Sequence, residues 1–402
     1  MKDQFKIESN SVMFQISPSL MWFHEQINSL VLMVMPRLEK FDSTDNVLHV
    51  IVLVAAVMSF LMANGMFRSL LNPFSFAFLW LSYNSLFALG GVFMQFQWDV
   101  LLLEAGFLTI FFAPLVPDSK PGQLARVVRE LIRWLTFRLM FSSGMTKLLS
   151  NCPTWWGLTA LNYHFETQPL PNMYSWAFHQ FPESLKRFGV IDTYIVEILM
   201  SLLFYSPIRS LRIFAGLRVH FFMLLIFLTG NYNFFNFLTM VINMTNFDDQ
   251  FLNRAVPGFI FKWMRIDVKV EDETVTWKES VIFNILPTIA VVSGTVYLQL
   301  YTIPENETLT YLFSFDDLVS FLDKSSIPFC FMAYILLVFI LIGAVSSKSP
   351  ISNLGINSYG RFWTYISKAL YTSFILGLMF FFFIGTVSVF NNEFSKFRRL
   401  IF

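Results

Sequence analysis

Cysteine is almost missing from this chain: Cys152 and Cys330 are the two thiols in 402 residues. That excludes a disulfide framework and a multi-cysteine zinc site. Charge is scarce as well, at 14% of residues, too little to clothe a water-soluble domain of this length. Neither sign dominates, since the net charge is +1. With no basic run interleaved with aromatics, nucleic acid is excluded as a partner. No repeat of fixed period runs through the sequence, which removes solenoids and propellers. What fills the chain instead is apolar: 55% of residues, fifty of them phenylalanine. Such a chain belongs in a bilayer, with membrane lipids as its first partners.

A membrane helix needs about 20 largely apolar residues. The apolar runs predict spans over 49–66, 73–93, 99–115, 132–149, 190–205, 213–229, 281–301, 327–344 and 370–390, and a short or half-spanning helix over 232–244. The predicted fold is all-α: a polytopic membrane bundle of about 9–10 transmembrane or half-spanning helices with no large soluble domain. Residues 1–47 read as an interfacial segment, amphipathic over 12–35. Residues 48–250 form the main bundle with a cap over 151–187, 251–280 a polar cytosolic loop, and 281–402 further membrane helices. No cleavable signal peptide is expected, because the opening residues are polar and the next apolar run is interrupted by His24, Glu25 and Gln26. The first span then acts as a signal anchor. The sequon "NET" beginning at Asn306 is a glycan acceptor if luminal. Placing it there puts the basic loops after 248 and after 346 in the cytosol and the cap in the lumen. Lys396, Arg398 and Arg399 at the C-terminus run against this scheme.

Charges at membrane depth cost roughly 2.5–3.5 kcal/mol each on insertion scales, so each requires a partner. Asp99, Glu104, Arg138, Lys147, Glu197 and Arg218 are such residues, with His220 beside them. Sign balance predicts Asp99 or Glu104 against Arg138 or Lys147, and Glu197 against Arg218. Arg138 with Ser142, and Ser143 with Lys147, fall four apart on a helix and make a polar seam, with Gly144 permitting close backbone approach.

The stretch "NCPTWWGLTALNYHFETQPLPN" at 151–172 breaks the apolar pattern. Cys152 with His164 or His179 offers a thiol and a base, but no third group or oxyanion hole accompanies them. His164, Glu166 and His179 offer metal donors without the one-turn spacing of a helical zinc site. Recognition or anchoring fits the remaining residues better. Trp155 and Trp156 follow a span end, where indoles collect at the headgroups. Pro153 is placed to start a short helix running through Leu161, and Pro169, Leu170 and Pro171 force an extended segment. The expectation is a stiff aromatic cap that either binds a partner or seals its own bundle.

Four motifs in order carry a resemblance: "QWDVLLLEAGFL" (97–108), "FRLMFSSGMTKLLS" (137–150), "CPTWWGLTALNYHFETQPLPN" (152–172) and "WAFHQFP" (176–182), followed by "GNYNFFNFLTMV" (230–241). Together they resemble the lipase maturation factor family. The resemblance implies a multi-pass endoplasmic reticulum protein that helps secreted lipases reach an active state, with no reaction and no cofactor of its own. The family pattern falls on Gln97, Trp98, Asp99, Glu104, Arg138, Ser143, Gly144, Lys147, Cys152, Pro153, Trp155, Trp156, Tyr163, His164, Glu166, Thr167 and Gln168. The family's large luminal domain of β-like character is not expected here: "INSYGRF" at 356–362 echoes its entry, and another apolar run follows. Two other functions stay open. One is a structural subunit of a membrane complex, with fixed companion subunits and another organelle membrane as its place. The other is a membrane enzyme or transporter using a polar cavity.

Overall fold

The computed structural model describes residues 19–256 apart from 35–42, 65–66, 91–93, 95, 116–122, 169 and 207, with a few isolated positions between 289 and 316. All regular structure among the described residues is helical. Apart from helical positions 289–294 and 297, the predicted span at 281–301 lies outside them, as do those at 327–344 and 370–390, Asn306, Cys330 and the 356–362 motif. Helices α1 (His24–Val34), α2 (Ser43–Ala63), α3 (Pro73–Leu89), α4 (Gln97–Phe112) and α5 (Gln123–Leu149) come first. The short α6 (Pro153–Trp156), α7 (Ala160–Thr167) and α8 (Met173–His179) follow. Then come α9 (Glu183–Tyr194), α10 (Arg209–Thr229), α11 (Phe235–Asn243) and α12 (Asp249–Ala255). The chain divides into two compact units, and the division falls inside α5, between Arg129 and Glu130.

In the first unit, α3 shows why such a chain folds inside out relative to a soluble protein. Its buried residues are Ser75, Ser82, Asn84, Ser85 and Leu89, while Phe74 is 79% exposed. In lipid there is no hydrophobic gain from turning phenylalanine inward, so small and polar residues line the helix contact instead. The Ser82 and Ser85 hydroxyls donate to the carbonyls of Phe78 and Leu81 one turn back, which satisfies them inside the helix. Asn72 starts α3 by accepting from the backbone N–H of Phe74 and Ser75, with Pro73 in the first turn. The partner helix α4 is held by the Trp80 indole donating to the Leu103 carbonyl at 2.9 Å and by the Tyr83 hydroxyl donating to Asp99 at 2.5 Å. Met21, Val47, Leu48, Ile51 and Leu89 form a small apolar cluster where α1 and α2 begin.

The second unit is built on two long helices. One runs from Glu183 to Tyr205, passing from α9 through a π-helical turn at Ile195–Met200 to a closing 3-10 turn at Leu203–Tyr205. The other is α10. α11 packs on α10, fixed by the Asn243 amide donating to the Gly216 carbonyl at 2.9 Å.

By length and composition, three described helices suit a membrane: Thr44–Ala63, Glu183–Tyr205 and Arg209–Thr229. The other predicted spans within the described region are helical but differ from full spans. α3 and α4 are 17 and 16 residues long, short of the ~20 that cross a hydrocarbon core. α5 has 27 residues but carries Arg126, Arg129, Glu130, Arg133, Arg138 and Lys147. The segment at 232–244 is the nine-residue α11. The protein is thus an all-α membrane protein, and no large soluble domain stands among its described residues.

Candidate functional site

The end of α5 sets the geometry. Ser143 returns its hydroxyl to the Leu139 carbonyl at 2.9 Å, so it spends its polarity within the helix. Gly144 faces the π turn: a Cβ there would stand 2.5 Å from Ile198 Cγ1 and 3.0 Å from Glu197 Cβ. Only a missing side chain permits that approach. It brings Lys147 Nζ to 2.8 and 2.6 Å from the two Glu197 carboxylate oxygens. The same ammonium donates to the Ser143 carbonyl at 3.3 Å and lies 5.3 Å from the centre of the Trp155 ring, a cation–π distance.

These contacts correct the pairing expected from charge balance. Glu197 belongs to Lys147, and Arg218 belongs to Asp192, which is not among the charges that the apolar pattern flags. Asp99, expected against Arg138 or Lys147, accepts from Tyr83. Of the remaining early motif residues, Trp98 stacks on Phe96 at 4.6 Å, Gln97 is exposed at the start of α4, and Glu104 is half-buried on the same helix. These belong to the first unit, whereas Arg138 and the later motif residues belong to the second.

Beyond α5 the chain reverses through Asn151, whose φ of 49° is left-handed, a conformation asparagine tolerates at a helix end. Pro153 then opens α6, as expected, but the helix does not run on to Leu161. Gly157 caps it, and Leu158 takes a φ of 57°. A branched residue is strained there, and the complete burial of the Leu158 side chain offsets that cost. Trp155 and Trp156, neighbours about 100° apart on this helical turn, meet different surroundings. Trp156 is 5% exposed and donates its indole N–H to the Leu148 carbonyl at 3.0 Å. Trp155 is half-buried and meets Tyr194 edge to face at 6.0 Å.

The rest of the cap is tied down by amides. Gln168 donates to the carbonyls of Phe165 and Thr229 at 3.2 and 2.8 Å. Asn172 donates to the Leu228 carbonyl at 3.0 Å while capping α8 through a reciprocal contact with Ser175. Asn172 and Tyr232, which make contacts here, lie within the quoted motifs but are not among the residues singled out from them. The one cue in the sequence is that an asparagine follows Pro171 directly before an apolar run.

The chemistry-bearing residues are dispersed among separate partners. Cys152 Sγ lies 3.1 Å from the Thr154 hydroxyl, and that hydrogen bond lowers the thiol's pKa against the opposing effect of burial. His164 Nε2 lies 3.3 Å from the Tyr232 hydroxyl. His179 Nε2 lies 3.7 Å from Glu166, which is exposed. Tyr163 is exposed as well, and the Thr167 hydroxyl donates to the Tyr163 carbonyl. Among the described residues no three histidine, cysteine or carboxylate side chains converge to hold a metal ion.

Burial, then the nearby Lys147 charge, lowers the His164 pKa below its ordinary 6.5. The unfolded chain therefore takes up a proton at a higher pH than the folded chain. Stability is complete above about pH 6.5 and falls as pH drops from there through the folded value. A His164→Gln protein is expected to show a shallower loss of thermal stability between about pH 7 and 5. Parallel curves for the two proteins would refute the assignment.

The chain matches the lipase maturation factor transmembrane domain over residues 4–254. It is 48% identical over 201 residues to lipase maturation factor 2 of Mus musculus, a match covering 48% of this chain and 28% of that protein. Against lipase maturation factor 2 of Xenopus tropicalis the identity is 44% over 242 residues, or 58% of this chain and 32% of the relative. Lipase maturation factor 1 of Homo sapiens is 34% identical over 223 residues, covering 55% and 37%. The chain thus spans about a third of the length of these relatives. No solved structure matches it. With more than half of its residues inside the family's membrane domain, the protein belongs to the lipase maturation factor family.

Proposed function

We propose that this protein acts in the maturation of secreted lipases as a non-enzymatic factor of the endoplasmic reticulum membrane. Its cap faces the lumen, where the client lipase folds. The observation that carries this reading is the match of residues 4–254 to the family's transmembrane domain. The geometry supports the absence of a reaction of its own. Cys152, His164 and His179, the nucleophile and base that a hydrolytic site would need together, are engaged with Thr154, Tyr232 and Glu166 respectively. Cap and bundle are instead joined by Trp156, Gln168 and Asn172, each donating to a bundle carbonyl. That arrangement suits a rigid platform rather than a reaction centre.

The test is depletion in a lipase-secreting cell, reading secreted lipase activity against lipase protein synthesised. Activity is expected to fall several-fold per molecule made, with synthesis unchanged, and to return when the full chain is restored. No change, or an equal fall in synthesis and activity, would reject the proposal. Recovery of the chain with fixed, stoichiometric membrane companions and no lipase would point to the structural-subunit reading.

A further inference from the structure

We propose that the outward arc of α8, made by Met173, Tyr174 and Trp176 with Leu170 just before it, is seated in the headgroup region of the bilayer and anchors the cap to the membrane interface beside α10. The inference does not depend on the client proposed above.

Helical geometry separates the two sides of α8. At about 100° per residue, Met173 lies opposite Ser175, with Tyr174 and Trp176 on its flanks. Ser175 is fully buried, whereas Met173, Tyr174 and Trp176 are 75%, 52% and 68% exposed. The inward side is satisfied within the cap: Ser175 exchanges hydrogen bonds with Asn172, and Phe178 packs against Phe165 and Phe181 at 5.9 and 4.7 Å. A short helix with its serine inward and its tryptophan, tyrosine and methionine outward is reversed relative to water and matched to lipid.

Depth is set by two hydrogen bonds. Asn172 and Gln168 donate to the carbonyls of Leu228 and Thr229, in the final turn of the membrane-suited helix α10. α8 is seven residues long, about 10 Å at 1.5 Å per residue, and it packs on α10. Its arc therefore stays within roughly one headgroup thickness of the end of that span. The exposed face of α10 carries Phe221, Leu224, Phe227 and Leu228, which hydrocarbon covers, and the α8 arc extends this surface at its end. The chemistry changes as the interface requires, from phenylalanine and leucine along the span to tryptophan and tyrosine at its end, where an apolar ring keeps a polar tip in the wet layer. The arc carries no charge, so neutral phospholipid suffices.

The test uses the full chain with Cys152→Ser and Cys330→Ser and one new cysteine, Trp176→Cys or separately Met173→Cys. The cysteine is labelled with bimane and the protein reconstituted into phosphatidylcholine vesicles. Phospholipid with a nitroxide near the headgroup is expected to quench the label by about two-fold or more, aqueous iodide much less, and added anionic lipid is expected to change neither. Strong iodide quenching without lipid quenching would overturn the proposal. Protection from both quenchers would also overturn it, because a protein surface would then cover the arc. The two labelled positions are one turn apart, so either variant decides the question if the other fails to reconstitute.

Discussion

A Lys147→Met protein is expected to lose about 3–5 kcal/mol of stability, measured as a lowered unfolding midpoint of the purified chain in mild detergent. The Glu197 side chain is 7% exposed and its partner 22%, so removing the lysine strands the more deeply buried charge. Glu197→Gln is expected to cost less, about 1–2 kcal/mol, because the ammonium keeps the Ser143 carbonyl and the Trp155 ring. The double replacement Lys147→Met with Glu197→Leu is expected to recover most of the larger loss, since an apolar pair of similar volume escapes the desolvation that an orphan ion suffers. Additive losses in this cycle would show that the two residues do not act as a unit. The contrast matters for function, because this pair sits where α5 passes into the cap.

That same pair marks the boundary of what the sequence could disclose. Membrane class and helical content were legible, because fifty phenylalanines and sparse charge leave few alternatives. The helix that begins at Pro73 was legible from its apolar run. Pairing was not. Several acids and bases share the apolar runs, and which ones meet depends on how each helix is rotated. The π turn at Ile195–Met200 makes this worse: a wider turn swings Glu197 off the face that a 3.6-residue period assigns to it, and side-chain pattern carries no mark of such a turn. The end of α6 was illegible for a related reason. Proline correctly announced α6, but the stop at Gly157 and the left-handed Leu158 follow from a buried pocket for leucine, which is a tertiary property.

Trp155 and Trp156 look equivalent in the sequence, and the structure predicts that they are not. Trp156→Ala is expected to cost about 3–5 kcal/mol, because it empties a buried site and the surroundings relax only in part. Its indole also donates to the Leu148 carbonyl, so Trp156→Phe, which keeps most of the ring volume, is still expected to lose about 0.5–1.5 kcal/mol for that hydrogen bond, the carbonyl keeping the Asn151 N–H at 3.4 Å. Trp155→Ala removes a half-buried ring whose contacts are Tyr194 and the Lys147 ammonium, and the loss is expected near 1 kcal/mol. Thermal unfolding of the three proteins in one detergent separates the cases. If Trp155→Ala proved as damaging as Trp156→Ala, the deeper burial of Trp156 would not be what separates the two indoles. The cap would then be held by its outer tryptophan, and the junction between α5 and α6 described above would be wrong.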